Sequence, residues 1–139
     1  MLDASPDLSG IGVLVVDDDE DTRTILAKYL RFLGAEVAVA TDGADALAAL
    51  RFLRPDVLVS DIAMPSLDGL DLLAHIRLMP GQDSDPLPSI AFTGYADQGY
   101  RARAQAVGFD AFVAKPADPV VIAQRIRELV AARKTPGPR

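Results

Sequence analysis

The sequence predicts an α/β fold, a doubly wound parallel sheet of five strands, and three observations predict it. Short apolar runs rich in Val and Ile recur at 11–16, 57–60 and 89–92, as buried parallel strands do. Stretches with helical spacing or high helix propensity separate them. Strand and helix thus alternate five times, which implies a parallel sheet covered by helices on both faces, each unit a right-handed crossover.

The first strand, 11–16, ends in Asp17-Asp18-Asp19. The helix after it carries Ile25, Leu26, Tyr29, Leu30 and Leu33 at i, i+1, i+4, i+5 and i+8, with Gly34 to end it. Tyr29 and Phe32 are expected to pack beneath that helix. Residues 37–39 form a shorter second strand, and the Ala-rich stretch 45–53 a second helix. The third strand, 57–60, closes in Asp61. Leu70, Leu73 and Ile76 mark the third helix, which Met79-Pro80-Gly81 stops; His75 on it is expected at the surface. A long loop covers 80–88. The fourth strand, 89–92, runs into Thr93-Gly94, and a helix is expected over 97–107, with Arg101 and Arg103 as solvated charge. The fifth strand, 111–113, leads through Ala114 into Lys115-Pro116. Ile122, Ile126, Leu129 and Val130 make the last helix, which Pro136 and Pro138 end. Residues 1–9 and 134–139 are expected to be flexible ends around a domain at 10–133.

At 139 residues the chain suits one domain with a hydrophobic core. Half of it is apolar, and 14 basic against 20 acidic residues give a net charge of −6, which argues against broad nucleic-acid binding. With no cysteine, disulfides, thiolate metal sites and cysteine nucleophiles are excluded. The apolar runs fall far short of the roughly 20 residues that cross a bilayer, and the first residues lack the charge and apolar core of a signal peptide. A cytoplasmic protein with no membrane or nucleic-acid partner is the expectation.

Two strands of buried type that each finish in carboxylate are the most informative feature. In a doubly wound sheet, ligands sit beyond the carboxyl ends of the strands where the strand order reverses. If the first and third strands are neighbours there, Asp17, Asp18 and Asp61 stand on strand ends roughly 5 Å apart. Carboxylates that close repel one another, and a divalent cation removes the penalty; magnesium suits oxygen ligands and bridges to phosphate. Alone, the acidic run at 17–21 reads equally as a solvated helix start. Asp61 changes the balance, because desolvating an unpaired carboxylate costs several kcal/mol. Thr93 and Lys115 fall at the same end of the sheet, where a hydroxyl and an ammonium can meet a phosphoryl oxygen.

These residues resemble the receiver domains of two-component response regulators, including the stand-alone chemotaxis type, from about Ile11 to Val130. Val15-Val16-Asp17-Asp18 matches the family's acidic pair, and Asp61, within Ser60-Asp61-Ile62-Ala63-Met64-Pro65 and ahead of Asp68-Gly69, its phosphoacceptor. Thr93 and Lys115-Pro116 match the residues that end strands four and five. The resemblance implies a (βα)5 flavodoxin-like fold with strand order 2-1-3-4-5. It implies phosphoryl transfer to Asp61 from a histidine kinase or a histidine phosphotransfer protein. Magnesium would be held by Asp17, Asp18, Asp61 and the Ala63 carbonyl. Thr93 and Lys115 would assist, with a cis bond before Pro116. It further implies that Thr93 and the strand-five aromatic, here Phe112 where Tyr is common, switch a surface formed by helix four, strand five and helix five. An unknown downstream protein would read that surface, as monomer or phosphorylation-dependent dimer. Ala63 and Tyr95 would flank the hydrolytic water, and with no polar side chain at 63 a long-lived phosphoryl group is expected.

Other readings are a metal-dependent phosphatase that forms an aspartyl enzyme, and a receiver-like scaffold that never uses phosphate. Ala63 stands where such a phosphatase would place its second acid, so a non-enzymatic phosphoacceptor is the expectation. A receiver cut from a hybrid histidine kinase also fits; Met1 and the Pro136-Gly137-Pro138 tail favour a free-standing chain.

Overall fold

The computed structural model describes residues 5–94 and 97–134. Strand and helix alternate as β1 (Gly12–Val16), α1 (Glu20–Phe32), β2 (Glu36–Ala40), α2 (Gly43–Ala49), β3 (Val57–Ser60), α3 (Gly69–Arg77), β4 (Ser89–Thr93), α4 (Gln98–Val107), β5 (Ala111–Ala114) and α5 (Pro119–Lys134). All the pairings are parallel, in the order β2-β1-β3-β4-β5. This is the doubly wound parallel sheet that the alternation implied, in the flavodoxin-like order that the family resemblance implied.

Side chains of a strand alternate between faces, and the core divides accordingly. Val13, Val15, Val57, Val59, Ile90 and Phe92 meet Leu26 and Leu30 of α1 and Ile122, Ile126 and Val130 of α5. Leu14, Val16, Leu58 and Ala91 meet Ala46 of α2, Leu72, Leu73 and Ile76 of α3 and Ala104 of α4. Two helices therefore cover one face and three the other. Because both faces are covered, these strands read as unbroken apolar runs.

The helix starts use up many of the acids. Asp19, Asp42, Asp68 and Asp97 stand before α1 to α4, and each carboxylate accepts the N–H three residues on, from Thr22, Asp45, Asp71 and Tyr100 at 2.8–2.9 Å. Such caps satisfy a donor that the helix itself leaves open. Gly34 follows α1 at φ +102°, a left-handed turn where its neighbour Ser9 also leaves no room for a Cβ.

Three expectations change. Residues 1–9 were expected to be a flexible end; residues 1–4 lie outside the described residues, and within 5–9 Leu8 is fully buried against the α1/α5 layer, its N–H donating to Leu33 O at 2.9 Å. Ser5 also hydrogen-bonds the Tyr29 hydroxyl at 2.9 Å. Leu8 joins the cluster of Ile11, Leu26 and Leu30, which ties the segment to α1 and the start of β1. Phe32, expected to pack under α1, is 82% exposed, while Tyr29 does pack against the core. The inward positions are Leu26 and Leu30, with Leu33 alongside, and Phe32 falls off their stripe. The second helix, expected to reach residue 53, stops at Ala49 and unwinds through turns, because Phe52 has no surface to cover and is 86% exposed. Lys134 is the last residue of α5; the rest of the tail expected at 134–139 lies outside the described residues.

At the amino end of the sheet, one device appears twice. Gly12 N–H donates to the Asp56 carboxylate at 2.8 Å, and Asp56 N–H returns a bond to Gly12 O at 2.8 Å. Ser89 and Asp110 repeat the exchange at the same distances. Each aspartate stands just ahead of a strand and closes the first rung with its neighbour. No helix among the described residues is long and apolar enough to cross a membrane.

Candidate functional site

The functional side chains are placed by the strand ladder itself. Asp17, Asp61 and Lys115 follow just beyond β1, β3 and β5. Asp17 N–H donates to Ala40 O at 3.2 Å, Asp61 N–H to Val16 O at 2.9 Å, and Lys115 N–H to Thr93 O at 2.8 Å. After β1 the chain leaves toward the α1/α5 layer, and after β3 toward the other. A crevice opens between them at the point where the strand order reverses.

Into that crevice project Asp17, 2% exposed, Asp61, 8% exposed, and the exposed Asp18. One carboxylate oxygen from each lies within 4.8 Å of the others. The Lys115 ammonium reaches across from β5 and donates to Asp17 Oδ2 at 2.8 Å and Asp61 Oδ2 at 3.1 Å. It also sits 5.3 Å from the centre of the Phe92 ring. The other oxygens are held by backbone: Asp19 N–H donates to Asp17 Oδ1 at 2.9 Å and Ile62 N–H to Asp61 Oδ1 at 2.7 Å.

Burial pushes the Asp17 carboxyl above the ordinary carboxylate range, although the hydrogen bond from Lys115 pulls the other way. Burial alone would lower Lys115, but its bond to Asp17 and the charge of Asp61 prevail, and the ammonium is held above its usual value. One cation therefore serves two buried acids while a third stands beside them, so the cluster is short of positive charge. Its donors are oxygens alone, without histidine or cysteine, which fits a hard cation such as magnesium and not a structural zinc.

The loop after Asp61 is pinned by close packing. A Cβ at Gly69 would overlap the Asp61 carbonyl oxygen and press on Ile62 Cα, so the start of α3 lies directly on the Asp61–Ile62 peptide. Gly69 N–H donates to Ile62 O at 2.7 Å, and the Ser60 hydroxyl donates to Asp61 O at 2.8 Å. These contacts hold the backbone around Asp61 from both sides.

Asp17, Asp18, Asp61 and Lys115 are thus brought together as expected. Thr93 ends β4 with its side chain fully buried and its carbonyl bound to Lys115 N–H. Ala63 is half-buried two residues past Asp61, and the Lys115–Pro116 bond is cis, as expected. Phe112 lies in β5 across from Ala91, while Thr93 pairs with Ala114, so Thr93 and Phe112 are diagonal neighbours on one face of the sheet. Tyr95 lies outside the described residues. His75 is exposed, as expected.

Some contacts were not legible beforehand. Arg23 Nη1 donates to Asp17 O at 2.8 Å, which ties α1 to the acidic turn. Arg101 and Arg103 are exposed but not merely solvated: the Arg101 guanidinium lies 4.7 Å from the centre of the Phe112 ring, and that of Arg103 4.6 Å from Tyr100. The Arg103–Tyr100 pair is an i, i+3 neighbour contact on α4, whereas the Arg101–Phe112 pair joins α4 to β5 and has no local signal in the sequence.

Fold and site together define a class: doubly wound α/β proteins with an acid–lysine crevice at the strand-order reversal. Sequence comparison agrees, because the family description "response regulator receiver domain" matches residues 13–127. The uncharacterized 14.6 kDa protein in the sodA1 3′ region of Leptolyngbya boryana is 40% identical over 121 residues, 87% of this chain and 91% of that protein. The signal receiver domain of a signal transduction histidine kinase from Syntrophus aciditrophicus superposes with a TM-score of 0.81 at 28% identity, covering 92% of this chain and 96% of that one. Chemotaxis protein CheY4 of Vibrio cholerae gives 0.77 at 28% identity, over 86% and 98%. The chain spans half or less of other curated relatives, 50% of one transcriptional regulator and 35% of the Escherichia coli regulator of RpoS. The chain belongs to the response regulator receiver domains of two-component signalling.

Proposed function

We propose that Asp61 accepts a phosphoryl group from the phosphohistidine of a histidine kinase or a histidine phosphotransfer protein. A carboxylate oxygen of Asp61 forms the new P–O bond as the P–N bond breaks. The imidazole nitrogen leaves with the electron pair and is protonated by solvent. Asp17, Asp18, Asp61 and the Ala63 carbonyl would hold magnesium, whose charge offsets that on the oxygens of the transferring group. Lys115, 3.1 Å from Asp61 Oδ2, would pair with a phosphoryl oxygen, and the Thr93 hydroxyl would donate to another; the Lys115 distance supports this reading. Movement of Thr93 toward the phosphoryl group frees space that Phe112 turns to fill. The result is a population shift on the surface of α4, β5 and α5. The protein is then an acceptor and switch, not a turnover enzyme, read by a downstream protein partner.

The observation that carries this reading is the single ammonium shared by two buried carboxylates at the strand-order reversal. The test is intact-mass analysis after incubation with magnesium and acetyl phosphate, beside Asp61→Asn. One phosphoryl adduct is expected on the parent, and none on the variant or in the presence of a chelator. An adduct that survives Asp61→Asn, or that forms without divalent cation, would overturn it.

A further inference from the structure

We propose that Arg101 is a positioning residue for the switch: its guanidinium, stacked on the Phe112 ring, holds that ring in its outward, half-buried setting. The inference rests on the phosphoacceptor reading above and adds to it the group that opposes the change.

The geometry is specific. Phe112 is half-buried on the face of β5 that packs against the α2–α4 layer, with only Ala91 directly across the ladder and Thr93 on the diagonal. The residue of β4 that faces Phe112 across the ladder is thus an alanine, the smallest side chain that could stand there. On the outer side, α4 brings Arg101 to 4.7 Å from the ring centre. Among the described residues the Arg101 guanidinium has no hydrogen bond or ion pair, so the ring is what locates it. A cation over an aromatic face is attracted by the ring's quadrupole, and at an exposed site the attraction shifts an equilibrium by about two- to fivefold. Phe112 has no hydroxyl, so it cannot be held out by a phenol–solvent bond as a tyrosine could. The guanidinium supplies a hold of another kind. For the ring to turn inward, this contact must break.

Arg103 makes the same type of contact with Tyr100, but both residues lie on α4 and the ring is not on the sheet. It serves as the control: the same charge is lost from the same helix without touching Phe112.

The experiment places 4-fluorophenylalanine at position 112 and follows its ¹⁹F resonance during titration with beryllofluoride and magnesium, a mimic of the phosphoryl group. Arg101→Gln is expected to move the resonance of the unliganded protein toward its bound position. It should also lower the beryllofluoride midpoint by about two- to fivefold. Arg101→Lys, which keeps the cation, should return most of the way to the parent, and Arg103→Gln should match the parent. Identical resonances and midpoints in Arg101→Gln and parent would overturn the inference, as would equal effects of Gln and Lys at 101. If beryllofluoride binds neither parent nor variants, the phosphoacceptor reading fails instead. The unliganded ¹⁹F comparison would still decide whether Arg101 sets the ring.

Discussion

At the amino end of the sheet, Asp56 and Asp110 each accept a strand-start N–H and return their own, with solvent alongside. At the carboxyl end, Asp17 and Asp61 crowd around one ammonium with little solvent access. The same side chain is a fastener in one place and a source of repulsion in the other. Carboxylates at both ends accept backbone N–H groups; what differs is the second carboxylate that stands beside each at the carboxyl end. The amino end is built for stability, whereas the carboxyl end holds charge at the expense of stability, as sites made to receive a ligand do.

Three substitutions press on that contrast. The largest effect is expected at Gly69, where a methyl group meets backbone that cannot retreat. Gly69→Ala should destabilise by about 3 kcal/mol in urea melts and displace Asp61 enough to abolish the adduct. A stable, fully phosphorylated variant would show that the loop yields more than its packing suggests. Asp56→Ala should be milder, about 1–2 kcal/mol, because it leaves the half-buried Gly12 N–H without its acceptor, and phosphorylation should not change. A loss of phosphorylation there would join the two ends that the comparison separates.

Asp17→Asn should act in the opposite sense and be smallest. Its carboxyl is raised on folding from 3.8, chiefly by burial. Below that unfolded value both states are protonated and no penalty exists. As pH rises through the interval up to the folded value, the unfolded chain releases its proton first, and the native state is penalised from there upward. Asn at 17 removes the penalty and keeps an acceptor for Asp19 N–H. The variant should therefore match the parent near pH 3 and be the more stable of the two at pH 7, while losing magnesium affinity. Thermal melts across pH, with magnesium titrations beside them, would check both; a variant less stable than the parent at pH 7 would mean that the Lys115 bond outweighs burial.

The carboxyl end was far more legible in the sequence than the amino end. Asp17, Asp61, Thr93 and Lys115 lie at or just past the ends of short apolar runs, so one-dimensional pattern places them on a common edge once the strands are parallel. Asp56 and Asp110 also flank strands, but their role depends on register with Gly12 and Ser89, 44 and 21 residues away, which no local pattern encodes. Leu8 was invisible for a similar reason, as a lone leucine in a polar segment has no periodicity. Phe32 misled because hydrophobicity alone does not say which side of a helix is inward. Arg101 and Phe112 meet only through the packing of α4 on β5. The strand and helix order was legible throughout; contacts between distant segments were not.

The bond between Lys115 and Asp17 joins residues 98 apart in sequence. A contact of that reach closes nearly the whole chain into a loop and has to wait until most of the sheet has formed. Asp17 and Asp61 can approach as soon as β1 pairs with β3, at a stage when nothing yet neutralises them. Lys115 is the member of the crevice that the final strand supplies. A chain that has lost β5 and α5, or not yet docked them, carries the acids without their counter-charge. Occupancy of the crevice thus reports that the entire domain has folded, not only the strands on which its acids stand.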